Sequence, residues 1–195
     1  MNETSQADRF APLFAELDRR LAGEVPVRLA IEGGSASGKT TLGKILAERY
    51  GCTVFHMDDF FLRSEQRTAV RFAEPGGNVD RERFLAEVLL PLRRGEKVFY
   101  RRFDCASMQL QNAVETAPKK LVVAEGAYSM HPDLAPYYDL SVFLDISPEL
   151  QRERISRRNT PEKANRFFAE WIPMEQAYFA AFDIPAKCTL RISIL

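Results

Sequence analysis

The sequence predicts an α/β fold built on a mainly parallel sheet with helices over both faces. Three observations carry this. Short apolar runs alternate with amphipathic stretches along most of the chain, the pattern of strands linked by helical crossovers. The strand-like runs are apolar at almost every position, as strands buried on both faces are. A glycine-rich phosphate-loop pattern falls directly after the first run and before a helical stretch. The 195 residues suit one domain spanning 1–195, and no repeat, low-complexity tract or linker interrupts them.

The elements follow in order. Phe10, Leu13, Phe14, Leu17 and Leu21 recur at helical spacing, predicting an amphipathic helix over about 7–22. VPVRLAIE reads as a strand running into glycines, and TTLGKILAERYG as a helix stopped by Gly51. CTVFHM is the next strand, placed beside the phosphate-loop strand and ending at Asp58 and Asp59. Arg63 to Asn78 reads as a loop around Pro75-Gly76-Gly77, after which Asp80 is positioned to cap a helix over RERFLAEVLLPL. KVFYRRF is a short strand, and Cys105 to Pro118 shows no period and reads as an irregular insertion. KKLVVAEGAY and DLSVFLD are strands ending at Glu125-Gly126 and Asp145. Helices are expected from Pro148 to about Arg158 and again through Phe167, Trp171 and Tyr178, before a closing strand in CTLRISIL.

Composition narrows the function classes. Lys plus Arg and Asp plus Glu number 27 each, so no overall basic field favours nucleic acid or an anionic membrane. Three dispersed cysteines and two histidines offer neither a disulfide framework nor a zinc cluster. The first ten residues are polar and acidic, unlike a secretory signal, and no apolar run approaches a membrane span. These features lead to the expectation of a cytoplasmic protein acting on small molecules, with self-association left open.

GGSASGKTT supplies the chemistry. Gly33, four residues, then Gly38, Lys39 and Thr40 match the P-loop pattern in full. Backbone N–H groups of Gly33, Gly34, Ser35, Ala36, Ser37, Gly38, Lys39, Thr40 and Thr41 are expected to converge on the phosphates of ATP. Lys39 reaches the β- and γ-phosphates, and the Thr40 hydroxyl goes to Mg2+.

Acids at strand ends lie where such sheets collect ligands. Asp58 is the candidate base for an attacking hydroxyl, and Glu125, after LVVA, a candidate metal ligand. Asp145 and Asp80 could serve equally as helix caps, and His56 as a satisfied strand histidine. QRERISRR sets Arg154 and Arg158 on one helix face with Arg157 beside it, suiting a phosphate-covering lid over about 152–165. Tyr100, Arg102 and Tyr128, near strand ends, are candidate acceptor contacts.

Taken in series, GGSASGKTT, HMDDFF, NVDRERF, VFYRRFD, VVAEG and RERISRR resemble the uridine kinase and phosphoribulokinase group of P-loop kinases. The resemblance covers about Val27 to Tyr178. It implies a P-loop NTPase fold of the nucleoside/nucleotide-kinase type, a three-layer sandwich on a five-stranded parallel core. It also implies that Asp58 acts as base for a 5′-hydroxyl, that Glu125 helps hold magnesium, and that Asp80 holds ribose hydroxyls. Arg154 and Arg158 fall in its substrate and lid region. Uridine kinases carry a histidine shortly after a tyrosine like Tyr100, where Cys105 stands here. Nicotinamide riboside kinases carry an aromatic residue where Val79 stands.

The expected activity is therefore transfer of the ATP γ-phosphate to a hydroxyl of a nucleoside-like molecule, uridine or cytidine first. Nicotinamide riboside, pantothenate or another metabolite is the alternative acceptor. A nucleotide-binding regulatory module with little turnover is the alternative class. The lack of an Asn-Lys-x-Asp segment disfavours a GTPase.

Overall fold

The computed structural model describes residues 3–195, with side chains from Asp8 onward. Helix α1 (Glu3–Leu21) is followed by strand β1 (Val27–Gly33), helix α2 (Lys39–Tyr50) and strand β2 (Thr53–His56). A 3-10 turn (Met57–Phe60) and the short helix α3 (Ala69–Ala73) lead to α4 (Arg81–Phe84), a π turn (Leu85–Leu89) and α5 (Leu90–Arg93). Strands β3 (Val98–Asp104), β4 (Gln109–Thr116), β5 (Leu121–Glu125) and β6 (Leu140–Ile146) follow. The chain continues through α6 (Pro148–Arg158), α7 (Pro161–Arg166), a π turn (Phe167–Trp171), α8 (Ile172–Phe182), α9 (Ile184–Lys187) and β7 (Leu190–Ile194).

Five strands form one parallel sheet in the order β2-β5-β1-β6-β7. Both faces are buried, and alternation along each strand decides which face a side chain meets. Leu29 and Ile31 of β1, with Leu140, Val142 and Leu144 of β6, pack against Phe10, Leu13, Leu17, Leu42 and Leu46 of α1 and α2. Ala30 and Phe143 face the opposite layer, with Phe84, Val88, Tyr178 and Phe179. The expected five-stranded, three-layer P-loop architecture is thus observed.

Three local readings change. The strand before Asp58 does not adjoin β1, because β5 lies between them. More than half of the expected irregular insertion is β4, paired antiparallel with β3 in a separate hairpin, Val98 opposite Thr116. Its side chains are mostly exposed, so no apolar period marked it. The expected loop at 63–78 contains α3, capped by the Thr68 hydroxyl accepting from the Arg71 N–H.

Candidate active site

The phosphate loop joins β1 to α2, and local sequence dictates its shape. Gly33 has φ 144, and a Cβ there would lie 2.6 Å from the Leu144 carbonyl oxygen of the neighbouring strand. A side chain would push the loop off the sheet. Lys39 opens α2 and donates through Nζ to the Gly33 and Gly34 carbonyls at 2.7 and 2.9 Å. Thr40 donates through Oγ1 to Glu125 Oε1 at 2.9 Å. Ser37 is buried, and its Oγ has no hydrogen-bond partner among the described residues. A loop with a cation, a helix N-terminus and an unpaired buried hydroxyl fits a phosphate chain.

The floor beside the loop is acidic. Gly126 has φ 143, and a Cβ there would meet the Met57 side chain at 2.6 Å. Its absence lets the 3-10 turn after β2 sit over the end of β5, bringing Asp58 toward Glu125. Asp58 is exposed to solvent yet closely surrounded by protein. That burial pushes its carboxyl above the usual range, the Lys39 charge opposes the rise, and the Glu125 charge adds to it. His56 Nδ1 lies 2.5 Å from Glu125 Oε1, and this bond raises the imidazole pKa despite partial burial. The oxygens of Thr40 and Glu125 suit Mg2+, a hard cation that proteins hold through one or two groups while phosphates and water fill the rest. No cluster of three or more His, Cys, Asp or Glu suited to a metal occurs among the described residues.

One cleft of about 1300 Å³ takes in Ser35 to Thr41, Asp58, Glu125, Tyr128, Arg154, Arg157 and Arg158. Arg154 donates to the Ala36 carbonyl at 3.2 Å, and Arg158 lies over the Phe167 ring. Gly33 and Gly34 do not line the cleft, and their carbonyls hold the Lys39 ammonium that does.

Other expected contacts lie elsewhere. Tyr100 is a core residue, stacked on Phe60 at 5.7 Å and edge-on to Phe55, because its position in β3 points inward. Arg102 ion-pairs with Asp59 at 3.4 Å outside the cleft lining. Asp80 is 1% exposed; its Oδ1 accepts the Arg83 N–H at 3.1 Å, the cap geometry, while its Oδ2 is buried without a hydrogen-bond partner. Asp145 pairs with Arg191.

Sequence reasoning missed several members of the site. Arg166 and Trp171 extend the lid wall beyond the expected 152–165. Gln151 donates to the Ser35 carbonyl at 2.9 Å, and Glu175 accepts from both Ser35 N–H and Ser35 Oγ at 2.9 and 2.5 Å. Glu32 is buried, accepts from the Gly33 and Met130 amides and from Tyr178, and is pushed by burial to about 7. The one signal for Glu32 was a charged residue between the apolar run Leu29–Ile31 and the glycines of the loop.

A five-stranded parallel sheet, a P-loop at its central strand and an arginine-bearing segment over it define a P-loop kinase. Residues 29–164 match the Phosphoribulokinase / Uridine kinase family, and the chain belongs to it. A uridine kinase of Clostridium perfringens is 24% identical over 143 residues, a match covering 68% of this chain and 66% of that protein's length. A dephospho-CoA kinase of Bradyrhizobium diazoefficiens is 27% identical, over 74% of this chain and 78% of that one. Among solved structures, one from Silicibacter sp. TM1040, provisionally named a fructose transport system kinase, superposes with TM-score 0.74 at 24% identity. That superposition covers 93% of this chain and 98% of the other. No helix of the described residues is long and apolar enough to cross a membrane.

Proposed function

We propose that this chain transfers the γ-phosphate of Mg2+-ATP to a hydroxyl of a small nucleoside-like molecule, with uridine and cytidine as first candidates. The observation that carries the reading is the shared cleft, where the loop from Ser35 to Thr41 and the Asp58 carboxylate face one space. Asp58 accepts the proton of the attacking hydroxyl. Phosphoryl transfer is loose, so that proton leaves late and positioning counts for more than basicity. Lys39, Arg154 and Arg158 would balance charge on the transferred group. Thr40 and Glu125 would hold the magnesium ion, which supplies charge neutralisation to the phosphates when bound.

The acceptor end of the cleft supports a second reading of the substrate alone. Phe61, Phe72, Val79, Cys105, Met108 and Tyr128 line it, and neither histidine of the chain does. An acceptor other than a pyrimidine, such as nicotinamide riboside or pantothenate, fits the same chemistry. A panel of these alcohols with Mg2+-ATP tests both. Transfer to uridine or cytidine supports the first reading, and transfer only to another alcohol supports the second. Nucleotide-dependent capture of a protein with no acceptor in the panel would replace both with a regulatory module.

A further inference from the structure

Glu175 lies outside every motif that marked the site, 140 positions from the loop residue it binds. It sits on α8 at 4% exposure, and both carboxylate oxygens are used on Ser35, Oε2 by the N–H and Oε1 by the hydroxyl. On the other side, the Gln151 side-chain amide of α6 holds the Ser35 carbonyl. One residue of the phosphate loop is thus gripped by two helices that flank the lid. Tyr178, three residues after Glu175 and on the same helix face, donates to Glu32 at the end of β1 at 3.1 Å. These two bonds staple α8 to the strand and to the loop it leads into.

The charge matters as much as the bonds. A loop that binds phosphates collects positive potential from amides, a helix terminus and a lysine. Glu175 places a buried carboxyl on one of those amides, within the cleft lining; burial raises its pKa, and the Lys39 charge and the two Ser35 bonds oppose that rise and favour the carboxylate. Burial weakens screening, so repulsion between this carboxylate and an incoming phosphate chain is felt strongly. Steric demand agrees with a fixed arrangement: a Cβ on Gly34 would come within 2.8 Å of Gln151 Nε2 and 3.5 Å of Glu175 Oε2.

We propose that Glu175 is a positioning residue of the phosphate loop, docking α8 onto Ser35 while its charge lowers the hold on polyphosphate. The inference rests on the nucleotide-binding reading of the P-loop. Glu175→Gln separates the two effects. Its carbonyl still accepts from the Ser35 amide, its NH2 still donates to the hydroxyl, and only the charge is lost.

Calorimetric titration of wild type and Glu175→Gln with ADP and with inorganic tripolyphosphate is the test. Both ligands should bind the variant about tenfold more tightly, given the low screening at this depth. KM for ATP should fall without a rise in kcat. A residue that merely braced the fold would give weaker binding when replaced, the opposite sign. Should Glu175→Gln melt early, the same titrations are run below its melting temperature, with the folded fraction checked by circular dichroism. Equal or weaker binding by the folded variant overturns the inference. If wild type binds neither ligand, the nucleotide-site reading itself fails.

Discussion

The two ends of the cleft are built differently. At the phosphate end most polar groups are held, Lys39 by two carbonyls, Thr40 and His56 by Glu125, Ser35 by Glu175 and Gln151, and the buried Ser37 hydroxyl is left to a ligand. At the acceptor end, Asn78 Oδ1 is buried without a partner, and Phe72 and Met108 stand 41% and 36% exposed on α3 and the hairpin tip. A preorganised end suits a reaction common to many enzymes, since fixed dipoles do not reorganise as charge moves. A loosely satisfied end suits a site whose remaining contacts come from a particular substrate.

Asp58 lies on the border between these ends, and its replacement gives the largest expected effect. Asp58→Asn should lower kcat by about 10²–10⁴ while ADP affinity stays within a few-fold, read by coupled assay and calorimetry. Full activity in that variant would remove Asp58 from the role of base. Tyr100 sharpens the boundary from the other side. Tyr100→Ala should cost about 3 kcal/mol in urea unfolding, as loss of a buried aromatic does, with the acceptor KM unchanged in the surviving folded enzyme. A KM shift there without lost stability would return Tyr100 to the pocket.

Glu125→Gln probes the held end more gently. The Mg2+ concentration for half-maximal rate should rise by about tenfold, because the variant keeps the shape and loses the charge. At the open end, Phe72→Ala should raise the acceptor KM by a few-fold and leave the ATP KM alone. An effect on ATP alone would show that the division of the cleft is drawn wrongly.

The smallest effect is electrostatic. The Glu125 bond raises the His56 pKa above its ordinary 6.5, so the folded state holds this proton more tightly than the unfolded chain. The resulting stability is present in full below about 6.5 and is lost as pH rises through the folded value. Melting temperature measured without Mg2+ should therefore fall with pH over that window, and His56→Gln should flatten the decline.

What was legible in the chain was whatever depends on neighbours in sequence. The helices at Phe10–Leu21 and Pro148–Arg158, the phosphate loop and the N-cap at Asp80 follow from periodicity, glycine placement and capping over a few residues. β4 was missed because a strand exposed on both sides carries no apolar period. The order of strands, the inward turn of Tyr100 and the grip of Glu175 and Gln151 on Ser35 were decided only by the tertiary structure. Those last contacts join residues 140 and 116 positions apart. Such pairs are set by which strand lies beside which and how the helices cross the sheet. That is a property of the whole packed chain, and no short window of sequence contains it.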